Sequence, residues 1–147
     1  MISESEARYP DNQRPLVYRA EDESAWWIQG NHMALVEIDA LVTNISEWAG
    51  IHKPILRDGR GTRIARGRKE FLSLPRFARN VSYVCHEMSH CIAAQREMDD
   101  SHGPHFARIM LDVVRQFVSD DASKDLRYHF RERGVKVARK SWRRVAA

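Results

Sequence analysis

The sequence predicts an α+β protein in which a small three-stranded sheet packs on one central helix, with further helices N-terminal and C-terminal to it. Three observations support this class. Apolar residues recur at helical spacing in several long segments, short strand-like segments occupy residues 54–74, and an amphipathic segment rich in histidine follows them. A chain of 147 residues suits one domain. We place that domain at residues 13–134, between a flexible arm at 1–12 and a basic tail at 135–147.

Apolar periodicity and end signals predict the helices. They cover residues 15–27, 35–48, 80–96, 104–118 and 122–133. The regular apolar stripe of helix 104–118 should pack on the apolar side of helix 80–96. The tail has basic residues at near-helical spacing, which leaves a basic helix and disorder as alternatives.

Three strands are predicted between the second and third helices. The first covers residues 54–57, a turn follows at 58–61, and the second covers 62–65. The third contains Phe71, Leu72, Ser73 and Leu74, and it ends before Pro75, which lacks the backbone N–H that a ladder needs.

The composition is that of a globular protein, with 43% hydrophobic and 30% charged residues. No apolar run approaches the roughly 20 residues that span a bilayer, and the first residues lack the features of a secretory signal. Cys85 and Cys91 lie about 9 Å apart along one predicted helix, too far for a disulfide. Free thiols indicate a reducing compartment, so we expect a cytoplasmic protein with no membrane partner.

The central helix contains the pattern His-Glu-x-x-His at residues 86–90. On a helix, His86 and His90 lie one turn apart on the same side, so both rings can reach one metal ion. Glu87 lies about 100° around the helix, close enough to contact a water bound to that ion. Imidazole ligands, an exchangeable water and a carboxylate base together indicate zinc-dependent hydrolysis.

A catalytic zinc site needs a third protein ligand. The metzincin pattern would place a glycine and a histidine where this chain has Ala93 and Arg96, which excludes that class. His102 is favoured, because it lies in a predicted loop before Gly103 and the helix start at Pro104, and such a loop can fold back to the metal. His105, on the first turn of that helix, remains an alternative ligand.

The pattern His-Glu-x-x-His followed by His-Gly-Pro-x-Phe resembles that of the SprT-like zincins, which include the Spartan DNA–protein-crosslink proteases. The match covers residues 72–110, and it implies a zincin-like fold with His102 as the third zinc ligand. A closer resemblance is to a small family of metallohydrolases from actinobacteria and their phages, for which no substrate is established. Its signature appears here as Asp11, Gln13, Arg14, Val17, Tyr18, Ala20 and Glu21, together with Leu74, Pro75 and Arg76. If a phage encodes the chain, the compartment is the host cytoplasm.

These observations predict a zinc metallopeptidase that acts on a protein or peptide substrate. Glu87 would be the general base, and the strand 71–74 would be the sheet edge that pairs with an extended substrate. Tyr128 and His129, with Arg127 beside them, are candidate donors to the oxyanion. The oligomeric state is unknown at this point.

Charge is distributed unevenly along the chain. Residues 51–80 contain nine Lys or Arg against two Asp or Glu, and residues 131–147 contain seven against one. Basic blocks of this kind can contact phosphates. The alternative function is therefore a DNA-associated zinc protein, which would bind nucleic acid through the basic segments 57–69 and 136–144.

Overall fold

The computed structural model describes residues 11–28, 31–139 and 141–143, without the side chains of residues 26 and 28. Its helices are α1 (Arg14–Glu23), α2 (Ala25–Ile28), α3 (Leu35–Ala49), α4 (Val81–Gln95), α5 (Pro104–Phe117) and α6 (Asp120–Glu132). Its strands are β1 (Ile55–Arg57), β2 (Arg66–Gly67) and β3 (Phe71–Ser73). A single 3₁₀ turn, Arg76–Ala78, leads into α4. The predicted α+β class, with a small sheet and helices on both sides of it in sequence, is confirmed.

Helix ends follow local capping chemistry. The Asn80 side chain accepts the N–H of Tyr83 at the start of α4, and the Ser119 hydroxyl does the same for Ala122 at the start of α6. The helix predicted over residues 15–27 is instead divided in two, because the backbone of Ser24 is extended between α1 and α2. The start of α4 agrees with the prediction within one residue, whereas α6 begins at Asp120, two residues before the predicted start.

The sheet order is β1-β3-β2, so β3 is central. It pairs in parallel with β1 and antiparallel with β2. Two predictions are therefore wrong. The second strand lies at Arg66–Gly67 and not at 62–65, and the segment Phe71–Ser73 is not a free edge, because hydrogen bonds join it to a neighbour on each side. Leu74 follows the strand and donates its N–H to Arg57 O, so it too belongs to a paired region.

Helix α4 lies between the sheet and α5, and its apolar side is part of the main core. Helix α5 packs on α4 as expected, and five of the six residues of its predicted stripe are fully buried. These five are Phe106, Ile109, Met110, Val113 and Val114, whereas the sixth, Phe117, is only partly buried. The fold thus packs α4 between the sheet and α5.

The described part of the C-terminal tail packs against the domain. Residues 135–139 are not helical, Val135 is buried, and Trp142 is only 3% exposed. The Trp142 ring contacts Trp48, with centroids 5.4 Å apart, and its indole N–H donates to Asp112. The expectation of a basic helix or disorder is therefore wrong for these residues. No described helix combines the length and apolar character that crossing a bilayer requires.

Candidate metal centre

Helix α4 presents His86 and His90 on a different side from its core residues. The rings lie one turn apart, with centroids separated by 5.1 Å. Cys85, Met88 and Ile92 are fully buried in the core. The predicted division of this helix into a core side and a cleft side holds only in part, because the core residue Phe106 packs against both histidine rings, with centroids 4.9 Å from His86 and 4.4 Å from His90.

The third histidine comes from the loop between α4 and α5. Nε2 of His102 lies 3.2 Å from Nε2 of His90 and 3.3 Å from Nε2 of His86. With Zn–N bonds of about 2.0–2.1 Å, neighbouring ligand nitrogens of a tetrahedral site are roughly 3.4 Å apart. Both distances match this spacing. Within the described residues, these three histidines form the cluster whose ligand atoms could hold one metal ion.

Asp100 organises the loop that carries His102. Its carboxylate accepts the backbone N–H groups of His105 and Phe106, which caps the first turn of α5. A Cβ at position 103 would lie 2.6 Å from the Asp100 side chain, which would then have to shift, so glycine favours this close turn. The preceding histidine is thereby directed back towards α4.

Two carboxylates from the N-terminal segment contact the outer nitrogens of the cluster. Oε2 of Glu21 lies 2.6 Å from Nδ1 of His86, and Oδ2 of Asp11 lies 2.7 Å from Nδ1 of His102. An ionised carboxylate can only accept, so each Nδ1 carries the hydrogen. Once both rings are neutral, each Nε2 presents its lone pair to the space between the rings. A zinc ion placed there would be bound by these lone pairs, so the donor set fits such an ion.

Glu87 follows His86 directly and is 6% exposed. The backbone N–H of Gly67 donates to its carboxylate. A Cβ at Gly67 would lie 1.9 Å from the backbone oxygen of Glu87, so the strand β2 can lie this close to α4 only because residue 67 is glycine. Burial raises the pKa of Glu87, and Glu21 adds to this, while His86 and the Gly67 hydrogen bond oppose it. A carboxylate with a raised pKa is a better proton acceptor.

The histidines differ in protonation because their surroundings differ. Burial lowers the pKa of His90 well below its usual value, and the neighbouring histidines act in the same direction. Burial also lowers the pKa of His102, where Asp11 opposes it. For His86 the effect of burial is outweighed by Glu21 and Glu87, which raise its pKa to about 9. Metal binding at this centre would therefore release a proton from His86.

An open cleft of about 440 Å³ lies beside His86 and Glu87. Residues from α1, from the segment before β2 and from the region of α4 line it, among them Tyr18, Ala65 and Phe77. The Tyr18 ring stacks on His86 at 5.7 Å and meets the His102 ring edge-on at 5.1 Å. This cleft gives a substrate access to the candidate catalytic carboxylate.

Several predicted site residues lie elsewhere. His105 is not a fourth member of the cluster: its side chain is 46% exposed and its Nδ1 lies 3.0 Å from Asp100. Tyr128 is exposed, and His129 contacts Glu23 and Asp125. Neither of these two lines the cleft, so the prediction that they support an oxyanion is wrong.

Arg127 also lies away from the cleft. It lines a separate cavity between α5, α6 and the C-terminal segment.

From the sequence, no role was assigned to three residues that contact the histidines but lie far from them along the chain. Asp11 was placed in the flexible arm, and Tyr18 and Glu21 entered only as parts of a signature. The two acids are separated from their histidine partners by 65 or more positions, so no local spacing reveals them. The one available signal was the signature itself, which includes Asp11 just before the helix and Tyr18 and Glu21 within it.

Comparison of the chain with models of known protein families, with curated protein sequences and with solved structures finds no match.

Proposed function

We propose that the protein is a zinc-dependent metallohydrolase that cleaves peptide bonds. The observation that carries this proposal is the convergence of three imidazoles next to a buried glutamate that faces a cleft. Nε2 of His102 lies 3.2 Å from Nε2 of His90 and 3.3 Å from Nε2 of His86. Three histidine ligands leave one position of a tetrahedral ion for water, which is the arrangement of catalytic and not structural zinc.

His86, His90 and His102 would hold the ion. When bound, zinc lowers the pKa of water towards about 7 and polarises a carbonyl group. Glu87 accepts the proton of the attacking water and returns it to the leaving nitrogen, and its raised pKa suits both transfers. The low exposure of Glu87 limits competition from bulk water.

Tyr18 is the candidate donor to the carbonyl oxygen of the substrate. Its ring contacts two of the histidines and lines the cleft. Burial raises the pKa of its hydroxyl, which keeps the proton available for donation. Arg14 lies 5.6 Å from the ring and restrains it.

The outer edge of β2 supports a peptide substrate. Arg68 N–H donates to Phe71 O, so in the alternating antiparallel ladder the polar groups of Ala65 and Gly67 point away from β3. Gly67 uses its N–H on Glu87. Ala65 lines the cleft, and its backbone groups have no hydrogen-bond partner among residues 11–28, 31–139 and 141–143. An extended peptide can add to this edge as a further strand.

The test is metal content combined with hydrolysis. We expect purified protein to bind about one zinc per chain and to cleave unfolded proteins or peptides. Glu87→Gln should keep the zinc and lower the cleavage rate by roughly 10²–10⁴-fold. Full cleavage by this variant would reject Glu87 as the base, and a wild-type protein that binds no zinc would reject the proposal as a whole.

A second candidate function is binding of nucleic acid. A cavity of about 570 Å³ is lined by Arg108, Arg127, Arg131 and Arg139. Arginine forks suit phosphate oxygens. Of the segments expected to contact nucleic acid, 136–144 contributes Arg139 to this cavity, whereas 57–69 does not line it.

A double variant, Arg127→Gln with Arg131→Gln, tests this second candidate. If phosphates bind here, affinity for an oligonucleotide should fall and its salt dependence should weaken, by about one unit of slope for each phosphate that the variant no longer binds. Arg19→Gln with Lys53→Gln removes the same charge from exposed positions outside this cavity and outside both segments, and serves as the control. Absence of binding at low salt would exclude the candidate.

A further inference from the structure

Helix α1 and the residues just before it contribute two acids that the hydrolytic mechanism does not use. Glu21 and Asp11 both contact a candidate zinc ligand, yet neither lies within the His-Glu-x-x-His segment or its loop.

The Glu21 carboxylate is buried, although burial of a carboxylate lowers the stability of the folded protein unless both oxygens are hydrogen-bonded. Its side chain is 1% exposed, one carboxylate oxygen contacts Nδ1 of His86, and the other oxygen has no hydrogen-bond partner among the described residues. A buried carboxylate with an unsatisfied oxygen is costly. Within the described chain, the one side-chain hydrogen-bonding contact of this carboxylate is therefore the contact with Nδ1 of His86, which orients the imidazole ring.

Asp11 holds the loop histidine with both of its oxygens. Oδ2 lies 2.7 Å from Nδ1 of His102, and Oδ1 accepts the backbone N–H of the same residue at 3.2 Å. Gln13 adds a third bond from the same segment, because its Nε2 donates to His102 O at 3.0 Å. The ring and the backbone of a loop residue are thus both fixed from the N-terminal segment.

We propose that Glu21 and Asp11 are positioning residues that set the zinc affinity of the centre, and that the segment 11–21 is an integral part of the metal site. This inference rests on the proposed function. By accepting from Nδ1–H, each acid selects the ring tautomer whose Nε2 is free to bind metal, and it increases the basicity of that nitrogen. No carboxylate contacts the His90 ring in the part of the chain that the structure describes, so the support is specific to two of the three ligands.

The test is zinc affinity, measured by competition with a chromophoric chelator. Glu21→Gln keeps the size of the side chain, but its amide can donate to Nδ1 and thereby favour the tautomer with hydrogen on Nε2. We expect affinity to fall about 100-fold for Glu21→Gln and about 10-fold for Asp11→Asn, whose carboxylate is 25% exposed and can be replaced in part by water. Asp22→Asn removes the same charge from the exposed neighbour of Glu21 and should change affinity by less than about twofold.

Unfolding of the zinc-free variants separates positioning from stability. If the acids serve only the fold, the variants are less stable while the fraction that remains folded binds zinc as tightly as wild type, and the inference is overturned. A wild-type protein that binds zinc together with variants of equal affinity has the same consequence. A wild-type protein without zinc affinity instead overturns the proposed function, so the two failures are distinguishable.

Discussion

Helix α4 and the rest of the chain contribute to the candidate centre in different ways. Within about one turn, α4 supplies two candidate ligands and the candidate acid–base residue. The third candidate ligand, the two acids proposed to support the histidines and the strand that contacts Glu87 come from four separate places: Asp11, Glu21, Gly67 and His102. The comparison teaches that the kind of chemistry is encoded locally, whereas its geometry depends on tertiary packing. Breaking the interactions that join the distant parts to α4 tests this division.

The largest effect is expected on zinc affinity, when the histidine of the loop between α4 and α5 is replaced. Apparent binding free energies of structural zinc, about 10–16 kcal/mol, shared among four ligands give roughly 3 kcal/mol for each. His102→Ala should therefore weaken zinc binding by at least about 100-fold, measured by chelator competition. His105→Ala is the matched control, because His105 lies three positions later and outside the cluster. Equal weakening in both variants would contradict the assignment of the third ligand.

Metal removal tests whether the N-terminal segment and α4 respond together. At a free zinc concentration about 100 times the Kd, binding stabilises the folded state by about 2.7 kcal/mol. Because α1 contacts the histidines through Glu21, hydrogen exchange should slow in α1 as well as in α4 when zinc is added. Helix α3, which supplies no residue to the histidine cluster, provides the internal reference. Protection confined to α4 would show that α1 is not coupled to the site.

The packing of β2 on α4 is tested by Gly67→Ala. A methyl group would lie 1.9 Å from Glu87 O, so strand and helix must separate. Overpacking of this kind costs about 1–3 kcal/mol, and we expect the free energy of unfolding to fall by about 2 kcal/mol in chemical denaturation. Gly61→Ala is the control, because nothing lies within 4 Å of the added carbon and no packing has to change. The positive φ of residue 61 alone should lower the free energy of unfolding of this control by about 1 kcal/mol. Equal stability of Gly67→Ala and wild type would contradict the close packing of β2 on α4.

The smallest expected effect is the rate of chemical modification of the two cysteines on the core side of α4. Burial raises the pKa of Cys85 to about 12 and that of Cys91 to about 11. At about pH 8 roughly one Cys91 thiol in a thousand is ionised, so folded protein should react very slowly with iodoacetamide. The rate should rise about tenfold for each pH unit below these pKa values. Rapid reaction near neutral pH would contradict the burial of these thiols.

The sequence predicted those parts of the protein whose signals are local. Helix α4 was recognisable because its histidines and its apolar residues repeat at helical spacing on different sides. Helix α5 begins at Pro104 for a similar reason, and the glycine before it indicated the loop that carries His102. In each case, the residues that determine the element lie within one or two turns of it.

Predictions that depended on strand order were less successful. Residues 71–74 have the apolar content of a strand, but nothing in that segment states which neighbours it acquires, and it became the central strand. The edge strand β2 is only Arg66–Gly67, too short and too polar to show an alternating pattern. The supporting role of Asp11 could not be inferred either, because its contact with His102 spans 91 positions. Long-range pairing is decided by packing, which a local pattern does not contain.

The shortness of β2 limits how a polypeptide could be held in the cleft. Two residues of strand extend over about 7 Å, which corresponds to a single dipeptide unit of an incoming chain. So few backbone hydrogen bonds would contribute little to selectivity. Discrimination between substrate sequences would then depend on side chains that line the cleft, such as Tyr18, Ile64 and Phe77. Since these side chains are mainly apolar and aromatic, a cleavage site flanked by large nonpolar side chains in an unfolded segment would be preferred over a structured polar one.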